Sequence, residues 1–274
     1  MIKDIIDNKN TEYILDNFEK VGIINTLSIF VEVLDKRSYF NITDNGMINI
    51  KDINYAIPLF AFLDEKKYLS QILLELSDTK ERTKFKKINR HSNIPMNKIK
   101  RNFMKTLVNG TLDFSKEYGK EMFLRDEREF YKIISIFSLS GNIKSLKCLM
   151  VISFINLVEK FGKKNITDEV LYLVISFLTK YRDNFYDTDR FFENIEEKTD
   201  IDNLYSDIIN DVDLMKTKKG LELLSYILLI KKTNPENEKL YINILKNEMK
   251  NLNYSDLLDR YEMILVKKLL KLGD

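Results

Sequence analysis

The sharpest chemistry in the 274-residue sequence lies in four side chains at helical spacing, Asn97, Lys98, Arg101 and Lys105. An asparagine amide can pair with adenine N6/N7, an arginine fork fits guanine O6/N7, and lysines supply charge to phosphate oxygens. Asn97, Arg101 and Lys105 follow at four-residue steps, so a helix gathers them on one face. Ile99, Phe103 and Leu107 recur at the same step and form an apolar stripe. The pattern predicts an amphipathic helix over residues 95–108, with Pro95 in its first turn and the donor face outward. Asn97 and Arg101 are the expected base readers. Lys98, Lys105, Arg90, Lys84 and Lys87 are expected phosphate contacts, and Lys116 and Lys120 are expected to reach backbone or minor groove.

The charge distribution supports this choice better than the total does. The chain holds 44 basic and 42 acidic residues, a net of only +2. Between Lys80 and Lys105, however, ten Lys or Arg face one acid, Glu81, a local net of +9. Residues 187–213 show the reverse, with ten acids and two basic residues, Arg190 and Lys198. Such a run is first a solvated helix face, and it is also a candidate contact for a basic protein partner. The interleaved Phe185, Tyr186, Phe191, Phe192 and Tyr205 are expected to anchor it to a core.

Several classes are excluded or left without support. His91 is the only histidine and Cys148 the only cysteine, so a disulfide framework and cysteine zinc sites are ruled out. His91 stands beside Arg90 with no nearby carboxylate in sequence, which fits a surface residue better than a catalytic base. Asp200-Ile201-Asp202-Asn203 lacks the glycine and distal glutamate of a calcium loop. The eight glycines form neither G-x-G-x-x-G nor a phosphate-cradling loop. No enzyme activity, metal or cofactor is expected. The first residues lack the apolar core of a signal peptide, and the longest uncharged apolar run, Cys148 to Val158, is too short to span a bilayer. A soluble cytoplasmic protein without membrane contact is expected.

Around the donor face, apolar periodicity predicts helices almost throughout. Helices are expected at 10–21 and 23–36, broken by Gly22, then a hairpin near 39–50 turning at Asp44-Asn45-Gly46. A helix over 64–76 and a second from Ser77-Asp78-Thr79 to His91 precede the donor helix. Thr111–Ser115 and Lys120–Leu124, flanking Lys116–Gly119, read as a second hairpin. Beyond Arg125 the pattern is all helical, with Gly141 and Gly162 closing two helices. Thr167, Pro235 and Ser255-Asp256 open others. Near-continuous apolar runs at 148–158, 170–178 and 221–230 predict helices buried within a bundle.

Three helices and a hairpin over 64–126, with Asn93-Ile94-Pro95 as the turn before the third helix, resemble the winged helix-turn-helix superfamily. The resemblance implies double-stranded DNA binding through the 95–108 helix and regulation of transcription. It also implies a homodimer on half-sites about one helical turn apart. The expected architecture is mostly α, with a helical segment and hairpin over 1–63, the winged segment over 64–126, and a helical bundle over 127–274 for dimerisation or partner binding. The first hairpin also suits a second winged domain, as in plasmid or phage replication initiators. A helical protein-interaction module, an inhibitor or immunity factor using the acidic 187–213 surface, is the reading from another class.

Overall fold

The computed structural model describes residues 2–81, 83–90, 93–182, 185, 200–252 and 254–272. Over these residues the protein is mostly α, with fourteen α-helices and one two-stranded antiparallel hairpin. The chain divides into two compact units that are not consecutive stretches. Unit 1 comprises Met1–Phe130 and Phe154–Arg182; unit 2 comprises Tyr131–Ser153 and Asp183–Asp274. This partition differs from the three successive segments expected from sequence, because residues 154–182, from beyond residue 127, join the N-terminal helices in unit 1, while unit 2 is built entirely from residues after 130.

Unit 1 holds α1 (Ile2–Asp7), α2 (Thr11–Lys20), α3 (Ile23–Leu34), β1 (Phe40–Ile42), β2 (Ile48–Ile50), α4 (Ala56–Phe62) and α5 (Lys66–Leu76). It continues with α6 (Met96–Asn109), α7 (Leu112–Arg125), the first turn of α8 (Glu127–Ser140), the later part of α9 (Lys147–Phe161), and α10 (Asp168–Lys180). Helix α10 is the axis. Every residue from Val170 to Thr179 is buried, and α3, α6 and α7 pack against it. Thr167 caps it by accepting from Val170 N, as its sequence position suggested. Phe103, Phe123, Phe130 and Phe154 form one aromatic cluster, with centroid separations of 5.3–6.1 Å.

The hairpin pairs Phe40 with Ile50, Asn41 with Asn49 and Ile42 with Ile48. Its turn closes through Gly46 N donating to Thr43 O and Thr43 N donating to Met47 O. Gly46 lies at φ +81°, which a residue with a side chain adopts only at a cost.

Unit 2 holds the remainder of α8 and α9, then α11 (Ile201–Asn210), α12 (Lys218–Thr233), α13 (Glu238–Met249) and α14 (Arg260–Leu269). Helix α12 is the axis here and carries the apolar run 221–230. Its close approach to the preceding turn depends on Gly220, where a Cβ would stand 2.2 Å from Leu214 O. Two helix starts differ from expectation. Asn234 is in the left-handed conformation and ends α12, so α13 begins beyond Pro235, at Glu238. The last helix is capped by Asp259 in a reciprocal box with Glu262 rather than by Ser255-Asp256. Among the described residues no helix is long and apolar enough to cross a membrane.

Candidate nucleic-acid interface

Helix α6 realises the predicted donor helix closely. Ile99, Phe103 and Leu107 are buried, and Phe103 stacks on Phe130 at 5.7 Å with planes 14° apart. Asn97, Lys98, Arg101 and Lys105 are all exposed on the outer side. No residue of Met96–Asn109 is acidic, and among the described residues Lys98, Arg101 and Lys105 form no ion pair. Lys100, on the flank, is neutralised by Glu129 at 2.7 Å. Asn97 uses its carbonyl oxygen to accept from Lys98 N at 2.8 Å, which leaves its amide donors outward.

The helix stops where Gly110 turns left-handed, at φ 62° and ψ 39°. Its last carbonyls are met by Arg182, whose Nη2 donates to Asn109 O at 2.8 Å. A Cβ on Gly110 would lie 2.3 Å from that guanidinium. Gly110 is thus a helix terminator and does not lead into a wing.

Two elements of the winged arrangement are built differently. Residues 83–90 carry no helix. The backbone here finds partners on α3 instead: Thr83 N donates to Glu32 O at 2.8 Å and Phe85 N to Glu32 Oε1 at 3.1 Å. Phe85 sets its ring edge-on to Tyr172 at 5.3 Å. A helix here would also have stacked Lys84, Lys87 and Arg90 at three-residue spacings, like charge on like charge.

The second hairpin is likewise replaced, because Leu112–Arg125 is the continuous helix α7. Ser115, Gly119, Met122 and Phe123 all face inward at helical spacing. Gly119 is a packing residue and no turn: a Cβ there would meet Ile175 Cδ1 at 2.5 Å and Phe103 at 3.0 Å. The helix–helix–helix–hairpin order expected over 64–126 is therefore not what this segment forms.

The predicted phosphate contacts separate into two groups. Lys84 and Lys87 are exposed, as is the neighbouring Lys86. Arg90 is half exposed, its side chain 51% accessible, and pairs through Nε with Glu121 Oε2 at 3.3 Å. Lys116 and Lys120 are buried, at 6% and 9% accessibility, and do not belong to the interface. Lys116 binds Asp113 at 2.6 Å and holds that carboxyl below its ordinary pKa, with Lys86 adding to the effect. Lys120 is fixed by Asp168 Oδ2 at 2.6 Å and Ile88 O at 3.0 Å. Lys120 thereby tethers residues 83–90 and α10 to α7, the helix on which α6 also packs, whereas Lys116 pairs within α7 itself.

Sequence reasoning missed the device that holds residues 83–90 in place. Asp35, fully buried, accepts from Ser176 Oγ (2.9 Å), Tyr172 Oη (3.0 Å), Thr83 Oγ1 (3.1 Å) and Lys180 Nζ (2.6 Å). Burial and the nearby Asp35 charge push the Tyr172 phenol above its ordinary pKa. These residues come from three distant parts of the chain, so no local spacing announces them. Arg125 was missed as well; its Nη1 donates to Ile94 O at 2.7 Å and fixes the entry to α6. His91, Arg190, Tyr186, Phe191, Phe192 and residues 187–199 of the acidic run lie outside the described residues. Of the aromatics expected to anchor that run, Tyr205 is buried, and Phe185 packs edge-on against Phe137 at 5.6 Å.

Among the described residues no group of three or more His, Cys, Asp or Glu is placed to hold a metal ion. No protein-family model, no curated protein and no solved structure matches the chain.

Proposed function

We propose that the chain is a cytoplasmic double-stranded-DNA-binding protein that acts as a homodimer in the regulation of transcription. Helix α6 serves as its groove helix in this reading. The observation that carries it is the outer face of α6: Asn97, Lys98, Arg101 and Lys105 exposed together on a helix that contains no acid. From Asn97 to Lys105 the face extends about 12 Å along a helix whose diameter, about 10–12 Å, is of the size the major groove admits. Arg101 and the Asn97 amide have the donor geometry to read base edges. Lys98, Lys105, Lys84, Lys86 and Lys87 supply charge for flanking phosphates.

Because α6 is braced by α7 and α10 rather than by a helix-turn-helix partner, specificity in this proposal rests on that one helix. Phosphate neutralisation releases counterions, so affinity for a mixed-sequence duplex should fall steeply between about 50 and 200 mM salt. Arg101→Ala/Lys105→Ala should weaken binding at least tenfold and flatten the salt dependence by about two contacts. A wild-type chain that fails to bind duplex DNA at about 50 mM salt would remove the proposal.

A further inference from the structure

The hairpin of unit 1 keeps an apolar face in water. Phe40 pairs with Ile50 and Ile42 with Ile48, so these four side chains share one face while Asn41 and Asn49 share the other. Their accessibilities are 41% for Phe40, 69% for Ile42, 68% for Ile48 and 67% for Ile50.

The base of the hairpin is firmly held. Tyr39 is buried against Phe177 at 5.1 Å and Tyr181 at 5.7 Å, and Lys51 N donates to Tyr39 O at 2.8 Å. Lys36 Nζ donates to Asp52 O at 2.7 Å, and Lys51 pairs with Glu81. The apolar face is thus presented by an anchored ribbon. A two-stranded ribbon is marginal on its own, and four large apolar side chains in water give it no stability.

The character of the face selects its occupant. Strands β1 and β2, Phe-Asn-Ile and Ile-Asn-Ile, contain no charge and no proline, the residues with which exposed strands usually block self-association. They offer no cation to a nucleic acid or lipid headgroup and no charge to a charged peptide. What complements an uncharged apolar ribbon is another of the same kind, which a two-fold axis supplies. The face exposes on the order of 500 Å², so two copies would cover about 1,000 Å², the lower bound for a specific interface.

We infer that two copies of this chain associate through the Phe40/Ile42/Ile48/Ile50 face, forming a concentration-dependent homodimer. This rests on the homodimer part of the reading above and is independent of its DNA-binding part.

Sedimentation equilibrium of the full chain from about 1 to 200 μM tests it, with Ile42→Thr/Ile48→Thr as the variant that keeps β-branched shape. The expected result is a reversible monomer–dimer equilibrium whose dissociation constant rises at least tenfold in the variant, with circular dichroism unchanged. A wild-type chain that stays monomeric at about 200 μM overturns the inference and needs no variant. So does a dimer unmoved by the two substitutions, or a monomer that floats with phosphatidylcholine–phosphatidylglycerol vesicles. A monomer that still binds duplex DNA removes the dimer alone. A dimer that binds none removes the DNA reading alone.

Discussion

Lys105 and Lys120 are the same residue type in the same basic region, yet their surroundings are opposites. Lys105 is exposed on a helix with no acid. Lys120 is buried between the carboxylate of Asp168 and the carbonyl of Ile88. The contrast extends to their neighbours: Arg101 and Lys98 go with the first, Lys116 with its Asp113 partner goes with the second. A count of charges along the chain therefore mixes two populations. One set is consumed in holding elements together, and the other remains available to a ligand. Which set a lysine joins depends on whether an acid, from its own helix or from another, reaches it.

The largest effect is expected where the internal set is densest. Asp35→Ala strips one buried acceptor from Thr83, Tyr172, Ser176 and Lys180 together, leaving a cation and three hydroxyls to find new partners. Loss of one member of a buried pair costs about 3–5 kcal/mol, and urea unfolding followed by circular dichroism should show a loss in that range. A loss below about 1 kcal/mol would mean the network contributes little to holding residues 83–90.

Lys120→Ala should follow at about 3 kcal/mol, since Asp168 is only partly shielded and can regain water. The same substitution at Lys105 should leave stability within about 0.5 kcal/mol. Equal losses at the two positions would erase the distinction between structural and available lysines.

Much of the fold and part of the site were legible in the sequence, and the reason differs by element. Helices α2, α3, α6, α10 and α12 and the first hairpin follow from local pattern: apolar steps of three and four, Gly22 and Gly46 at positive φ, and Thr167 as a cap. The exposed face of α6 was legible because its buried stripe fixes what must point outward. Residues 83–90 were misread as helix because their preference is decided by Glu32 and Asp35, distant in sequence. Leu112–Arg125 was misread as a hairpin because Gly119 resembles a turn glycine. Its purpose, clearance for Phe103 and Ile175, exists only once α6 and α10 are in place. Lys116 and Lys120 were assigned outward for the same reason.

Unit 2 offers a carboxyl that sharpens the contrast by failing to secure what Lys120 secures. Glu222 is mostly enclosed, its buried Oε2 makes no hydrogen bond among the described residues, and Lys219 Nζ stands 3.8 Å away while binding Glu248 at 2.5 Å. Burial, only partly opposed by Lys219 and Lys144, pushes the Glu222 carboxyl up to about 7 from an ordinary 4.5. A carboxyl whose folded-state pKa is raised favours the folded chain in its protonated form. That contribution is complete below the unfolded value and lost as pH rises through about 7. Stability should therefore decline by on the order of 2 kcal/mol from pH 5 to pH 8, and Glu222→Gln should abolish that part of the decline. An unchanged pH profile in the variant would show that the Glu222 charge is solvated in the folded chain.

The smallest effect on stability is expected at the surface proposed to meet DNA, and its smallness is what makes it informative. Lys98, Arg101 and Lys105 form no ion pair among the described residues, so their removal breaks none and relieves repulsion along one helix face. Arg101→Ala/Lys105→Ala should unfold within about 0.5 kcal/mol of the wild type, or slightly above it at low salt, with the excess vanishing as salt screens the repulsion. Any affinity the variant loses for duplex DNA then belongs to the missing charges rather than to a damaged fold. A stability loss above about 1 kcal/mol would place Arg101 or Lys105 with Lys120, among the cations the structure uses for itself.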